Sequence, residues 1–236
     1  FWSGDGDTDA DVEGQIWKIV DPAGNAAFVG HETDAATAIS SGYDTATGAI
    51  TTAYDSAGRR YSYTYDGTTG RLLEVDAEVD AGGSSSIGSV TYAYYVNADD
   101  HGQDGDLKTV TRMTPLSDGS STTRKYYRYY EGTYNATTNP GHHHQLKYVY
   151  EEEGVRRYDW SGDSDFDGDH LTASDGDLKP YAASYFAYDT DRRVVATWSS
   201  GQCGCSGAAS GVHTFTYSTN GSFSGTSGYD TGWYGR

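Results

Sequence analysis

The sequence predicts an all-β protein, a repetitive antiparallel β-hairpin ribbon whose sheets stack or coil. Three observations carry this reading. Tyr-Asp dipeptides recur at a spacing of eleven, at Tyr43-Asp44, Tyr54-Asp55 and Tyr65-Asp66, each with a glycine four or five residues after the tyrosine: Gly48, Gly58 and Gly70. Between the last two, Tyr61, Tyr63 and Tyr65 alternate with Ser62 and Thr64, the period of a strand. The composition has 22 Tyr, 5 Trp, 31 Gly and only 4 Pro, with few aliphatic residues and no long helical period.

Each part of the repeat has a physical task. The tyrosine closes a strand, and the aspartate accepts bonds from backbone N–H groups just ahead of it and starts a turn. The glycine supplies a positive φ. Eleven residues leave about seven for a strand and about four for a turn. The core is expected to be largely aromatic, because tyrosine buries a ring and keeps its hydroxyl available for a partner.

In chain order, Gln15–Val20 reads as a short strand, Asp21-Pro22-Ala23-Gly24 as a turn and Ala26–Gly30 as a second strand. The Ala/Thr/Ser stretch Ala35–Ser41 is the best helix candidate. The hairpin series runs to Val79, and Ala81–Ser86 is a turn or loop. Strands are expected at Val90–Val96, Leu107–Met113 and Thr122–Tyr130, with a turn over Leu116–Ser121. His142, His143 and His144 read as turn and strand entry. Leu146–Tyr150 and Val155–Tyr158 are expected to pair as a hairpin about Glu151–Gly154. Further strands follow at Tyr185–Tyr188, Val194–Trp198 and Val212–Tyr217. A longer repeat, Trp2-Ser3-Gly4-Asp5 against Trp160-Ser161-Gly162-Asp163, points to a section of a repetitive ribbon. The chain, Phe1 to Arg236, reads as a single β domain and an excised piece of a longer precursor.

The runs YDSAGRR and YDGTTGRLLEV resemble the YD repeats of the bacterial Rhs/YD-repeat family, roughly Y-D-x-x-G-R-L. Arg128–Val149 is similar to a segment of large surface proteins of that family. The resemblance is clear over about a third of the chain; Tyr188-Asp189-Thr190-Asp191-Arg192-Arg193 has lost its glycine. It implies long hairpin ribbons coiled into shells or spirals on large secreted or cell-surface proteins. The family's self-cleaving core, D-P-x-G followed by a hydrophobic residue, does not carry over, because Asn25 follows Asp21-Pro22-Ala23-Gly24 near the start of the chain.

The net charge is −18, from 34 acidic and 16 basic residues. That speaks against nucleic acid, whose phosphates need clustered Lys and Arg. The sequence has no run of some 18 apolar residues, so no membrane insertion by a helix is expected.

Asp163, Asp165, Asp167 and Asp169, with Gly168, match the first half of an EF-hand-like loop, in which alternate carboxylates wrap calcium in oxygen. Where that loop wants Glu stands Ser174; Asp175 comes one residue late. No flanking helices are expected. The weaker acidic copy is Trp2–Asp11. Cys203-Gly204-Cys205 is the only cysteine pair. An extracellular setting favours its oxidation, although an i, i+2 bridge is strained; cross-links between subunits, free thiols and a metal site are the alternatives. Asn135-Ala136-Thr137 and Asn220-Gly221-Ser222 fit the N-glycosylation sequon. No nucleophile elbow, phosphate loop or zinc-protease motif is present, and Glu151, Glu152 and Glu153 have no partner for acid–base work, so no enzyme is expected.

The reading that follows is a structural subunit of an extracellular fibre, sheath or shell. It would polymerise by strand addition, with the aromatic ends Phe1, Trp2, Trp233 and Tyr234 at the joint. A carbohydrate-binding or adhesion module is the second reading, because Tyr and Trp stack on glycans. A fragment of a toxin-encapsulating shell is the third.

Overall fold

The structure, a computed structural model, describes residues 16–30, 42–44, 46–79, 85–97, 99–162, 169–200 and 210–217. Among these residues twelve strands follow one another in sequence. They are β1 (Lys18–Val20), β2 (Ala26–Val29), β3 (Thr52–Tyr54), β4 (Arg60–Tyr65), β5 (Leu72–Glu78), β6 (Ser86–Tyr94), β7 (Leu107–Leu116), β8 (Gly119–Tyr129), β9 (Leu146–Glu151), β10 (Ser184–Tyr188), β11 (Val194–Ser200) and β12 (Ser210–Thr214). They form one antiparallel sheet in which the spatial order is the sequence order. Every hydrogen-bonded neighbour is a neighbour in sequence, as hairpin-by-hairpin growth dictates. The all-β hairpin ribbon read from the Tyr-Asp spacing is thus the fold.

The chain divides into two compact units, residues 1–92 with 110–123 and residues 93–109 with 124–236. In the first unit, register separates two faces, because residues directly opposite each other share a side. Tyr61 pairs with Ala53 and Ala77, and Tyr63 with Val75, which in turn pairs with Val90. On the other side Ser62 lies across from Asp76, and Thr64 across from Glu74. Arg60 and Glu78 bridge at 3.1 Å. One face is therefore tyrosine and aliphatic, the other charged and hydroxylic.

The second unit holds the main core: Tyr95, Tyr126, Tyr148, Tyr150, Val155, Leu178 and Ala182. Most of it is tyrosine, as expected of a chain poor in aliphatic residues. Tyr126 stacks on Tyr150 across the β8–β9 pair at 5.6 Å between ring centres. Tyr148, Tyr185 and Trp198 form a cross-strand row over β9, β10 and β11, with centroids 5.0 and 4.6 Å apart.

The hairpin expected from Leu146–Tyr150 and Val155–Tyr158 does not form. Glu151–Tyr158 is not a hairpin tip and strand: Glu152–Gly162 is a helix, α1. Glu152 and Glu153 sit in its first turn, where the helix dipole favours acid. Val155 and Tyr158, three apart, share a helical face and pack into the core. The same V-x-x-Y spacing defeats a period-two reading. Gly154 is required for space, since a Cβ there would lie 2.3 Å from the Tyr181 carbonyl oxygen. The turn expected over Leu116–Ser121 is also shorter, because β7 runs to Leu116 and β8 starts at Gly119. The candidate helix Ala35–Ser41 lies outside the described residues.

Candidate functional site: tyrosine latches, aspartate turns and a buried arginine

At Tyr43-Asp44, Tyr65-Asp66 and Tyr188-Asp189 the two side chains fasten different things. The aspartate organises the turn ahead. Asp55 Oδ1 accepts the N–H groups of Ala57 and Arg59 at 2.9 and 3.1 Å, and its Oδ2 accepts Arg59 Nε at 2.7 Å. Asp189 repeats this with Asp191, Arg193 and the Arg193 guanidinium at 2.9, 2.9 and 2.8 Å. Asp21 repeats it with Ala23 and Asn25. Asp21-Pro22-Ala23-Gly24-Asn25, a D-P-x-G sequence by letter, is therefore a turn of the same design. Asp66 builds the one-residue-longer form, taking Thr68 and Thr69 N–H at 2.9 and 2.7 Å. The glycine follows with positive φ: +78° at Gly58 and +70° at Gly70.

The tyrosine reaches backwards. Its hydroxyl donates to a carbonyl at or just before the start of an earlier strand. Tyr188 bonds Leu146 O at 2.9 Å, Tyr217 bonds Val194 O at 2.7 Å and Tyr129 bonds Leu107 O at 3.0 Å. Each acceptor is the first residue of its strand. Tyr65 bonds Ile50 O at 2.8 Å, two residues before β3, and Tyr43 bonds Ile16 O, two residues before β1. The β3–β4 hairpin is thus pinned at its turn by Asp55 and at its mouth by Tyr65. Burial pushes the Tyr129 and Tyr188 hydroxyls up to about 12, so both remain donors at any physiological pH.

Tyr134-Asn135 is a further copy that the sequence hid. Asn135 Oδ1 accepts Thr137 and Thr138 N–H at 2.9 and 3.0 Å, as Asp66 does with Thr68 and Thr69. Tyr134-Asn135-Ala136-Thr137-Thr138 parallels Tyr65-Asp66-Gly67-Thr68-Thr69. Asn135 is exposed, and its sequon is also a turn in which amide replaces carboxylate.

The second constellation is centred on Arg128, which is 0% exposed. Its guanidinium bonds Asp175 Oδ1 at 2.8 Å, the carbonyls of His170 and Ala173 at 2.8 and 2.7 Å, and the Tyr126 hydroxyl at 3.2 Å. Lys147 Nζ takes the other oxygen of Asp175 at 2.5 Å. Burial pushes the Asp175 carboxyl up, but Lys147 and Arg128 outweigh it and hold it below the usual carboxylate range. Arg128 thereby ties β8 to the excursion between β9 and β10. Its described parts are α1, a 3₁₀ turn at Asp169–Leu171, a short helix α2 (Asp175–Leu178) and a second 3₁₀ turn at Lys179–Tyr181. Nothing in the sequence near Arg128 marks it, since RKYYRYY reads only as a strand rich in aromatics and cations.

Asp163, Asp165 and Asp167 lie outside the described residues, and Asp169 lies in the backbone of the 3₁₀ turn. The expectation of no flanking helices is overturned, because α1 ends at Gly162 and α2 starts at Asp175. Ser174, at the closing position of the loop, caps α2 by accepting Asp177 N–H at 3.3 Å. Asp175, one residue on, is taken by Arg128 and Lys147. Among the described residues no three His, Cys, Asp or Glu side chains are gathered as metal ligands. Cys203, Cys205, Asn220, Phe1, Trp2, Trp233 and Tyr234 all lie outside the described residues. Among the described residues no helix is long and apolar enough to cross a membrane.

No family model and no curated protein matches the chain. Among solved structures it is similar to a chain of the Photorhabdus luminescens Tc holotoxin pore, at 13% identity and a TM-score of 0.26. That alignment covers 88% of this chain and 12% of the other. The resemblance to Rhs/YD-repeat proteins therefore rests on the Tyr-Asp turns themselves.

Proposed function

We propose that the chain is a structural module, a β-hairpin ribbon that builds an extracellular fibre, sheath or shell by self-association. The observation that carries this reading is the repetition of the same two fasteners along the sheet. The β3–β4 hairpin holds its turn with Asp55 and its mouth with Tyr65, aspartate turns recur at Asp21, Asp66 and Asp189 and tyrosine latches at Tyr129, Tyr188 and Tyr217, so hairpins add to a sheet without redesign, as repeats do in quasi-one-dimensional proteins. Spatial order equal to sequence order is the corresponding topology. A sheet so built presents strand edges that template further pairing, and acidic loops that keep the assembly wet or take up calcium.

Sedimentation velocity over a range of concentrations, with calcium and with chelator, tests the proposal. Growth into large species as concentration rises supports it. A monomer at every concentration in both conditions would overturn it, and quenching of tryptophan fluorescence by glycans in that monomer would favour the adhesion reading instead.

A further inference from the structure

β8 is longer than the strand that covers it. β9 pairs with it only from Lys125 to Tyr129, with Lys125 across from Glu151. After Glu151 the chain winds into α1. Among the described residues Gly119–Thr123 therefore pairs on its β7 side alone. All five of these residues are exposed. Glu152 marks where the cover stops, since its Oε2 accepts the Arg124 N–H at 2.6 Å.

Successive strand residues turn their main-chain groups to alternate neighbours. The N–H and C=O of Ser120 and Thr122 therefore face the same side as the Arg124 N–H, the side that β9 does not reach. Natural sheets guard such an edge with lysine, another charge or proline, because it templates pairing with a further strand. Gly119-Ser120-Ser121-Thr122-Thr123 holds none of these. The charges stand just outside it, Asp118 in the turn before and Arg124 after.

We propose that this edge is a joint between two copies of the chain, paired antiparallel about a twofold axis at Ser121. The Arg124 N–H is already held, so the edge offers the main-chain groups of Ser120 and Thr122. One register uses both residues on both copies: Ser120 lies across from Thr122 of the second copy, and Thr122 across from its Ser120. A partner strand cannot run further, because Lys125 is already paired with Glu151. The same register brings Asp118 beside Arg124 of the second copy, and the twofold repeats this at the other end. A neutral strand with an acid before it and a base after it is complementary to itself when run antiparallel, which selects a twin over an unrelated peptide. With a charge of −18 two copies repel on the whole, but between Leu107 and Tyr129 the sole acid is Asp118, and pairing sets it against a base. The joint rests on the self-association reading above and gives it one named contact. It closes on itself, so it makes dimers, and longer growth needs other edges.

Hydrogen exchange read by mass spectrometry, beside sedimentation velocity, tests this on the full chain up to about 1 mM, the range in which a few main-chain bonds hold a complex. The expected result is that dimers form as concentration rises and that peptides over Ser117–Arg124 gain protection while those of β3, β4 and β5 do not change. Thr122→Pro removes an edge-facing N–H that the single chain leaves unpaired, a change that strand edges tolerate, and should abolish both signals. Asp118→Lys sets like charges together at both ends and should weaken the dimer about tenfold at low salt. Exchange over Ser117–Arg124 that is the same at every concentration overturns the proposal; if larger species still form, the self-association reading stands without it. Association unchanged in Thr122→Pro overturns it too. A dimer that never grows and is lost in Thr122→Pro supports the joint and removes the fibre. Should Thr122→Pro fail to fold, Asp118→Lys decides, since an unchanged dimer there overturns the register.

Discussion

Arg192 stands at φ +66° in the place that Gly58 takes at φ +78° in an equivalent turn. Asp55 and Asp189 receive the same N–H pair and the same arginine, and both donate their own N–H to the residue four on. Ser56 and Ala57 give way to Thr190 and Asp191, but at the left-handed position the exchange is glycine for arginine. A left-handed backbone costs a side-chain-bearing residue about 1–2 kcal/mol. Glycine returns part of this through its freedom in the unfolded chain, about 0.5–1 kcal/mol. Arg192→Gly should therefore stabilise the protein by about 0.5–1 kcal/mol net. Urea titration reads this as a raised midpoint at unchanged slope; a lowered midpoint would show that the Arg192 side chain has a role of its own.

The latch predicts a graded series. Tyr188→Phe keeps the ring and removes only the donor to Leu146 O. The cost should be about 1 kcal/mol, the usual net value of such a bond, and more if the carbonyl is left dry. Tyr217→Phe should behave alike. Tyr134→Phe should cost less, because its bond to Tyr188 O is 3.4 Å long. Thermal midpoints of the three variants check the order, and equal losses would mean that the hydroxyls contribute nothing specific.

The turn aspartates set an acid limit. Asp21 is held below its ordinary range by the Asn25 side chain, Asp66 by the Thr69 N–H, and Asp44 by the Ala46 N–H. At Asp55 burial acts first and upward, but Arg59 and the turn N–H groups outweigh it. A depressed carboxyl stabilises the fold fully above its unfolded value, near 3.9, and loses that contribution as pH falls through the folded value. Global stability should hold from neutrality to about pH 4 and then drop. Unfolding free energy measured from pH 7 to pH 2 checks this, and a global loss that begins at pH 6 would overturn it.

The hairpin order was legible because the Tyr-Asp-x-x-Gly unit carries its strand end and its turn aspartate in adjacent letters. Tyr54-Asp55 and Tyr65-Asp66 announce a strand end, a turn and a pairing register. The copies at Asp189 and Asn135 were harder to see, since each changes one letter while keeping the bonding: Arg192 for glycine, Asn135 for aspartate. The β9–β10 excursion was not legible. Val155 and Tyr158 mark a helical face only once Leu178 and Ala182 are there to receive it, and those lie some twenty residues on. Arg128 was missed for the same reason. In RKYYRYY nothing separates a buried cation from an exposed one, because its partners Asp175, His170 and Ala173 are more than forty residues away. Local chemistry repeats and can be read, whereas a clasp across the chain has no period.

Gly141 makes the last prediction, because it meets the core directly. A Cβ at Gly141 would stand 2.1 Å from Cδ2 of the Tyr130 ring. That ring cannot retreat. It is fully buried, its hydroxyl bonds Phe186 O at 2.6 Å and the Tyr185 hydroxyl at 2.8 Å, and Tyr188 meets it edge-on at 6.0 Å. The chain at Gly141 is held too, by a bond from its N–H to Asn139 O at 2.8 Å. Gly141→Ala must therefore displace backbone or ring and should cost about 1–3 kcal/mol, the range for overpacking a filled site. Gly67, in the Asp66 turn, has nothing within 4 Å of its Cβ position and no positive φ. Gly67→Ala is the control and should be neutral or slightly stabilising, since alanine narrows the unfolded ensemble. Chemical denaturation of the two variants side by side reads the difference, and equal stabilities would show that the Tyr130 pocket yields without cost.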